Sequence, residues 1–175
     1  DAEALLGYTV TYYYQDEESD PVLRYVIPKS GVNQTLVIKA DDMEDYADYT
    51  YQYWEDDRIR RASFTKETNI IINGKAAPSY RDEQLCPDMG EVLLLDNNND
   101  GVYDIVFVTS YFNLVLHRYS ESDGMLYDKY DPARQIALEP GDSDTTYTLT
   151  DSQGNPMALS ELQEWDVIAV AFGQD

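Results

Sequence analysis

Two short apolar runs, Val92-Leu93-Leu94-Leu95 and Ile105-Val106-Phe107-Val108, enclose the string Asp96-Asn97-Asn98-Asn99-Asp100-Gly101-Val102-Tyr103-Asp104. Runs this short, aliphatic or β-branched and bounded by turn residues, read as strand, loop, strand. The loop places side-chain oxygens at every second position, on Asp96, Asn98 and Asp100. Gly101, the backbone carbonyl of Val102 and the carboxylate of Asp104 follow. Calcium takes six to eight oxygens, and this spacing wraps them around one point. Gly101 supplies the sharp turn that a side chain would obstruct. The loop is not an EF-hand, because the twelfth position is Phe107, where that motif needs a bidentate Glu on a helix. A single copy also argues against a propeller built from such hairpins. The alternative is an acidic turn that binds nothing, since Asn, Asp and Gly also make ordinary turns.

The rest of the chain carries the same strand signature. Tyr8-Thr9-Val10-Thr11-Tyr12-Tyr13-Tyr14 is rich in strand formers, with Tyr8, Val10, Tyr12 and Tyr14 on one face. Residues 15–20 turn the chain, and 22–27 return as a strand. Further strands are expected at 35–39, 49–54, 70–72, 135–138, 147–150 and 166–172, and one or two between 105 and 119. Asn73-Gly74 is the dipeptide favoured in tight hairpins. Residues 55–57, 122–124 and 151–156 read as turns. Residues 41–46 suggest one helical turn, and Ser160-Glu161-Leu162-Gln163 fits a capping box that opens a short helix. The expected fold is all-β: many short antiparallel strands in a sandwich or small barrels, with one or two short helices. Pro78, Pro87 and scattered charges mark a boundary. The expectation is an N-terminal β subdomain at 1–78, a connecting segment at 79–87, and a barrel-like C-terminal β subdomain at 88–175 packed against it.

Charge excludes several function classes. The 175 residues hold 12 Lys and Arg against 34 Asp and Glu, a formal charge of -22. Such a field repels phosphate backbones and anionic lipid surfaces, so neither nucleic acid nor membrane is an expected partner. It also destabilises the compact state by self-repulsion, which bound divalent cations relieve. A weak extracellular-type site in millimolar calcium would add about 1 kcal/mol. Cys86 is the one cysteine, which excludes an internal disulfide and thiolate zinc sites. The chain begins at Asp1 rather than Met, which reads as a processed or excised piece.

Other candidates divide between chemistry and packing. His117, the one histidine, sits beside Leu114-Val115-Leu116. It reads as a strand histidine holding one hydrogen bond more readily than as an acid-base group. Acids near Cys86 should raise its pKa and keep the thiol unreactive. Tyr51, Tyr53 and Trp54 offer a ligand face on which sugar rings stack; the competing reading is that they cover a sheet face. Arg58, Arg60 and Arg61 should neutralise Glu55, Asp56 and Asp57 across a hairpin.

Leu5-Leu6-Gly7-Tyr8, the tyrosine strand, Asn73-Gly74-Lys75, the 90–111 hairpin and the 159–171 stretch with Trp165-Asp166-Val167 occur in an order that resembles one family. That family is the uncharacterised β-rich region of S-layer homology domain-containing cell-surface proteins of Gram-positive anaerobes. The resemblance implies a secreted parent at the cell surface or cell wall, with cell-surface or wall components as partners, and a non-catalytic module within it. The expected function is therefore a structural spacer or interaction unit stabilised by Ca2+ at Asp96, Asn98, Asp100, Val102 and Asp104. The alternatives are a carbohydrate-binding module using an exposed Tyr/Trp face and, behind it, a glycan hydrolase.

Overall fold

The computed structural model describes residues 5–15, 21–120, 122, 124–138 and 147–172. Of the turn expected at 15–20 all but Gln15, the last residue of a strand, lies outside them, as does residue 123 of the turn expected at 122–124. Among the described residues the fold is all-β, with short 3₁₀ turns at Ala40–Asp42, Asp82–Leu85 and Leu159–Glu161 in place of helices. The chain divides into two units, Asp1–Tyr111 with Ala171–Asp175, and Phe112–Val170.

The first unit contains β1 (Val10–Gln15), β2 (Val22–Pro28), β3 (Gln34–Lys39), β4 (Met43–Ala47), β5 (Thr50–Glu55), β6 (Arg58–Ile72), β7 (Lys75–Ala76), β8 (Gly90–Asp96) and β9 (Tyr103–Ser110). Seven of these form one sheet in the order β3-β8-β9-β6-β5-β4, with β7 on β6. Its core gathers Ile38, Tyr51, Tyr53, Phe64, Ile70, Ile72, Leu85, Val92, Leu94, Val106 and Val108. The opposite side chains of the central strands, Ile71, Leu95 and Ile105, form a second cluster with Tyr8, Leu93 and Phe107. Apolar groups thus cover both faces of β8 and β9. For this reason the two strands read as unbroken apolar runs rather than as alternating ones.

Three expectations need correction here. The 79–87 segment is not a boundary between units: β3 pairs with β8 and β6 with β9, so strands on both sides of it share one sheet. The strands are not all antiparallel, because β6 and β9 run parallel. The chain between them carries β7 and β8, long enough for the crossover that a parallel pair needs. And the helical turn expected at 41–46 is confined to the 3₁₀ turn Ala40–Asp42, since Met43–Ala47 is strand β4. The 15-residue β6 was visible only at its apolar end. Its register breaks between Phe64 and Asn69, where Thr68 Oγ1 accepts the Thr65 N–H at 3.1 Å and donates to the Tyr103 carbonyl at 2.8 Å.

β1 and β2 form a separate two-stranded ribbon. Tyr13 stacks on Tyr25 with ring centroids 4.6 Å apart, yet Tyr12, Tyr14, Leu23 and Tyr25 remain exposed. Asn33 clips the base of the ribbon: its amide exchanges two 2.9 Å hydrogen bonds with the backbone of Thr9 and donates to the Lys29 carbonyl.

The second unit is a four-stranded antiparallel sheet of β10 (Phe112–Ser120), β11 (Met125–Asp128), β12 (Gln135–Ala137) and β13 (Val167–Val170), ordered β12-β11-β10-β13. Leu114, Leu116, Leu126, Ile136 and Leu138 fill its core, with Leu159, Leu162 and Ile168 against them. The long apolar stretch after 105 is two strands, broken at Tyr111. Of the strand expected at 147–150, Thr150 makes a single bridge to Pro156. The expected capping box is displaced: the 3₁₀ turn starts after Ala158, whose N–H donates to Glu161 Oε2 at 2.7 Å.

Candidate functional site

The 96–104 loop joins β8 to β9 as expected. Asp96, at the end of β8, is 3% exposed although it is a carboxylate. Its Oδ1 accepts the N–H groups of Asn98 at 3.1 Å and Asn99 at 2.6 Å, and its Oδ2 accepts that of Gly101 at 2.8 Å. Burial alone would push this carboxyl up. The N–H groups of Gly101, Asn98, Asn99 and Asp100 outweigh burial and hold it below the usual carboxylate range. Asn99 and Gly101 adopt φ of 63° and 88°, which folds their N–H groups back onto Asp96.

The other expected ligands are partly drawn in. Asp104 Oδ2 accepts the Asn97 N–H at 2.8 Å, and the Asn98 amide lies 3.5 Å from both Asp104 oxygens. Asp100 is exposed, and its Oδ1 accepts the Val102 N–H at 2.9 Å. Asp96, Asn98 and Asp104 are therefore brought together, while Asp100 and Val102 face outward. Among the described residues no three acidic, histidine or cysteine side chains form a group that could hold a metal ion. Three accepted N–H groups leave Asp96 little spare lone-pair capacity, whereas Asp100 and Asp104 keep more of theirs. Asp104, Asn98 and Asp100 carry the hard oxygen donors of the loop, and of these only Asn98 and Asp104 are drawn together.

Asn97, which the alternating pattern skips, has a role that the spacing does not reveal. Its amide donates to the Gly7 carbonyl at 2.8 Å, and its own carbonyl accepts from Thr9 Oγ1 at 2.6 Å. The loop thus clasps residues 7–9, just before the β1–β2 ribbon. No sequence signal marks it, because the partners lie some ninety positions apart.

The expected ligand face of Tyr51, Tyr53 and Trp54 is not a face. Successive strand residues point to opposite sides, so Tyr51 and Tyr53 turn inward at 0% and 8% exposure while Trp54 is 44% exposed. The Tyr51 hydroxyl donates to the Leu85 carbonyl at 3.1 Å, and its ring packs near Tyr46 and Phe64. Trp54 Nε1 donates to Glu44 at 2.7 Å. Tyr51 and Tyr53 cover a sheet interior instead.

His117 is exposed on β10, with Nδ1 3.4 Å from Glu164 Oε1. Burial pushes the Cys86 thiol up, and Asp45, Asp82 and Glu83 push it further, as the nearby acids suggested. Cys86 lines a depression of about 430 Å³ with Tyr46, Asp82, Glu83 and Asp88, and a larger one of about 510 Å³ lies between Lys39, Asp41, Gly90 and Tyr111. His117 lines neither. Arg60 pairs with Glu55 at 3.4 Å across the β5–β6 turn, the neutralisation expected there. No helix among the described residues is long and apolar enough to cross a membrane. No protein-family model, no curated protein and no solved structure matches the chain.

Proposed function

We propose that this chain is a non-catalytic module of an extracellular bacterial surface protein, a structural and interaction unit stiffened by calcium in its 96–104 loop. The wiring of that loop carries the reading. One stretch gathers Asp96, Asn98 and Asp104 through hydrogen bonds and, through Asn97, ties down the segment that leads into the ribbon. A cation bound to Asp104, Asn98, Asp100 and the Val102 carbonyl would offset crowded negative charge and fix the clasp. No chemistry on a substrate is required. The exposed Tyr12, Tyr14, Leu23 and Tyr25 of the ribbon support the interaction half of the proposal, because apolar surface of this kind marks contact sites. The surface setting rests on the family resemblance in the order of the chain's pieces. A leader peptide and wall-anchoring repeats in the full reading frame are its test.

Thermal unfolding in millimolar calcium and in chelator tests the metal. Calcium should raise Tm by about 2–4 °C, the equivalent of about 1 kcal/mol for a chain of this size. Asp100→Ala, at an exposed position, should abolish that rise and leave the chelator Tm nearly unchanged. Identical melting in both buffers removes calcium from the proposal.

A further inference from the structure

We infer that the second unit carries a binding site for a neutral sugar ring, built on Trp165 and Tyr130. Trp165 is 57% exposed and adopts φ of 82°. It occupies the third position of a turn closed by the Asp166 N–H on the Gln163 carbonyl at 3.1 Å. That φ belongs to a type II turn, whose third position normally holds glycine. A bulky aromatic residue there is strained, and this one recovers little burial in return. Burial of the ring does not offset that strain, and strain of this kind gathers at functional sites.

The surroundings fix the ring in place. Asp166 Oδ2 accepts the Gln163 N–H at 2.8 Å and braces the turn. The Trp165 N–H donates to the Leu116 carbonyl at 2.8 Å and anchors it to β10. Lys129 Nζ lies 3.6 Å from the centre of the indole and covers that face. From the neighbouring turn Tyr130, 72% exposed, brings its ring to 6.3 Å at an interplanar angle of 63°. Buried Asp128 holds that turn, its Oδ1 accepting the N–H groups of Tyr130 at 2.8 Å and Asp131 at 3.2 Å. Two aromatic planes therefore meet at a corner whose turns are pinned from below. Such preorganisation lowers the cost of binding.

Charge selects the ligand class. The chain's charge of -22 disfavours an anion. Glu164 would attract a cation, but it already pairs with Lys129 and faces His117. A second cation at the indole would also meet the Lys129 ammonium. What remains suited to the corner is a neutral ring with an apolar C–H face for the indole and hydroxyls for the Glu164 carboxylate, the Tyr130 hydroxyl and His117. That is a neutral pyranose. The inference does not rest on calcium, since none of these residues lies in the 96–104 loop.

The test is an NMR titration of the full chain in chelator with cellohexaose and fully N-acetylated chitohexaose, following the backbone amide signals and the two indole N–H signals, with Trp54→Phe to assign the latter. Binding should shift the Trp165 signal and spare that of Trp54. Trp165→Gly should weaken binding by about tenfold or more, the loss of a stacking contact, while Tm holds or rises because glycine suits the turn. Tyr130→Ala, which removes an exposed ring, should weaken binding in the same direction. The inference is overturned if neither sugar shifts the Trp165 signal at millimolar concentration, if choline or polygalacturonate binds in their place, or if both variants bind as tightly as the parent chain.

Discussion

Single aspartates do in this molecule what glycines and prolines do in many turns. Asp96 brackets its loop with both oxygens, Asp128 brackets the turn below Tyr130, and Asp151 Oδ1 accepts the N–H groups of Gln153 at 2.8 Å and Asn155 at 2.9 Å. Each side chain lends acceptors to backbone donors that no strand satisfies. Asp96 is the most demanding case because it is the most deeply buried of the three and holds backbone donors with both oxygens. In Asp96→Asn one oxygen becomes an NH2 donor facing a backbone donor, and charge-assisted bonds are lost. The expected cost is about 2–4 kcal/mol at pH 7, read from urea unfolding. The pH dependence has a definite sign. The folded pKa of Asp96 lies below its ordinary value, so its contribution is fully present above the unfolded pKa of about 3.9 and fades as pH falls through the folded value. The stability gap between parent and Asp96→Asn should therefore narrow on going from pH 7 to pH 3. A gap of equal size at both values would mean that the ionised carboxylate is not what the N–H groups bind.

At the scale of elements, close approach of strands sets the strictest limits. Gly90 opens β8 opposite Ser110 with φ of 127°, and a Cβ there would run into the Thr109 carbonyl. Both sides of that contact are backbone, so no rotamer change relieves it. Gly101 also has a positive φ, of 88°, but a Cβ there meets nothing within 4 Å. Gly101→Ala should cost about 1–2 kcal/mol from the left-handed conformation alone. Gly90→Ala should cost clearly more, about 3 kcal/mol or above, because strain and collision add. Chemical denaturation of both variants checks the order, and equal losses would mean that the Gly90 strand end shifts freely.

The same elements show which features the sequence exposes. Asn73-Gly74, with φ of 48° and 81°, is legible as a tight turn because its residue types favour that conformation. Asp48-Tyr49 makes an equivalent turn between β4 and β5 at φ of 49° and 59°, but no glycine announces it, and Tyr49 reads as strand. Tyr49 is held there by an edge contact with Phe64, 5.7 Å away. The apolar runs of β8 and β9 are visible because both faces are covered. The charged start of β6 is not, since residues 58–61 are exposed and only from Ala62 and Phe64 does alternation begin. For the candidate site, the oxygen spacing shows in the chain, whereas the Asn97 clasp and the Trp165–Tyr130 corner arise from contacts between distant segments.

For the molecule as a whole, the excess of acids over bases sets the response to ions. Among the described residues most of these carboxylates are exposed, and Asp96 and Asp128 are the buried ones. Their mutual repulsion acts through solvent and is screened over about 10 Å at 0.1 M salt but over about 30 Å at 0.01 M. Raising NaCl from about 0.01 M to about 0.15 M should therefore raise Tm in the parent chain and in Asp100→Ala alike, because diffuse screening does not depend on one carboxylate. A coordinated ion behaves differently. In about 0.3 M NaCl, where diffuse repulsion is already damped, the calcium-induced rise should persist in the parent and vanish in Asp100→Ala. Magnesium at the same concentration should give a smaller rise, since it demands a tighter octahedral shell and dehydrates reluctantly. If calcium and magnesium act equally and both effects disappear in high NaCl, cations stabilise this chain as an ionic atmosphere. The 96–104 loop would then be a turn held by Asp96 alone.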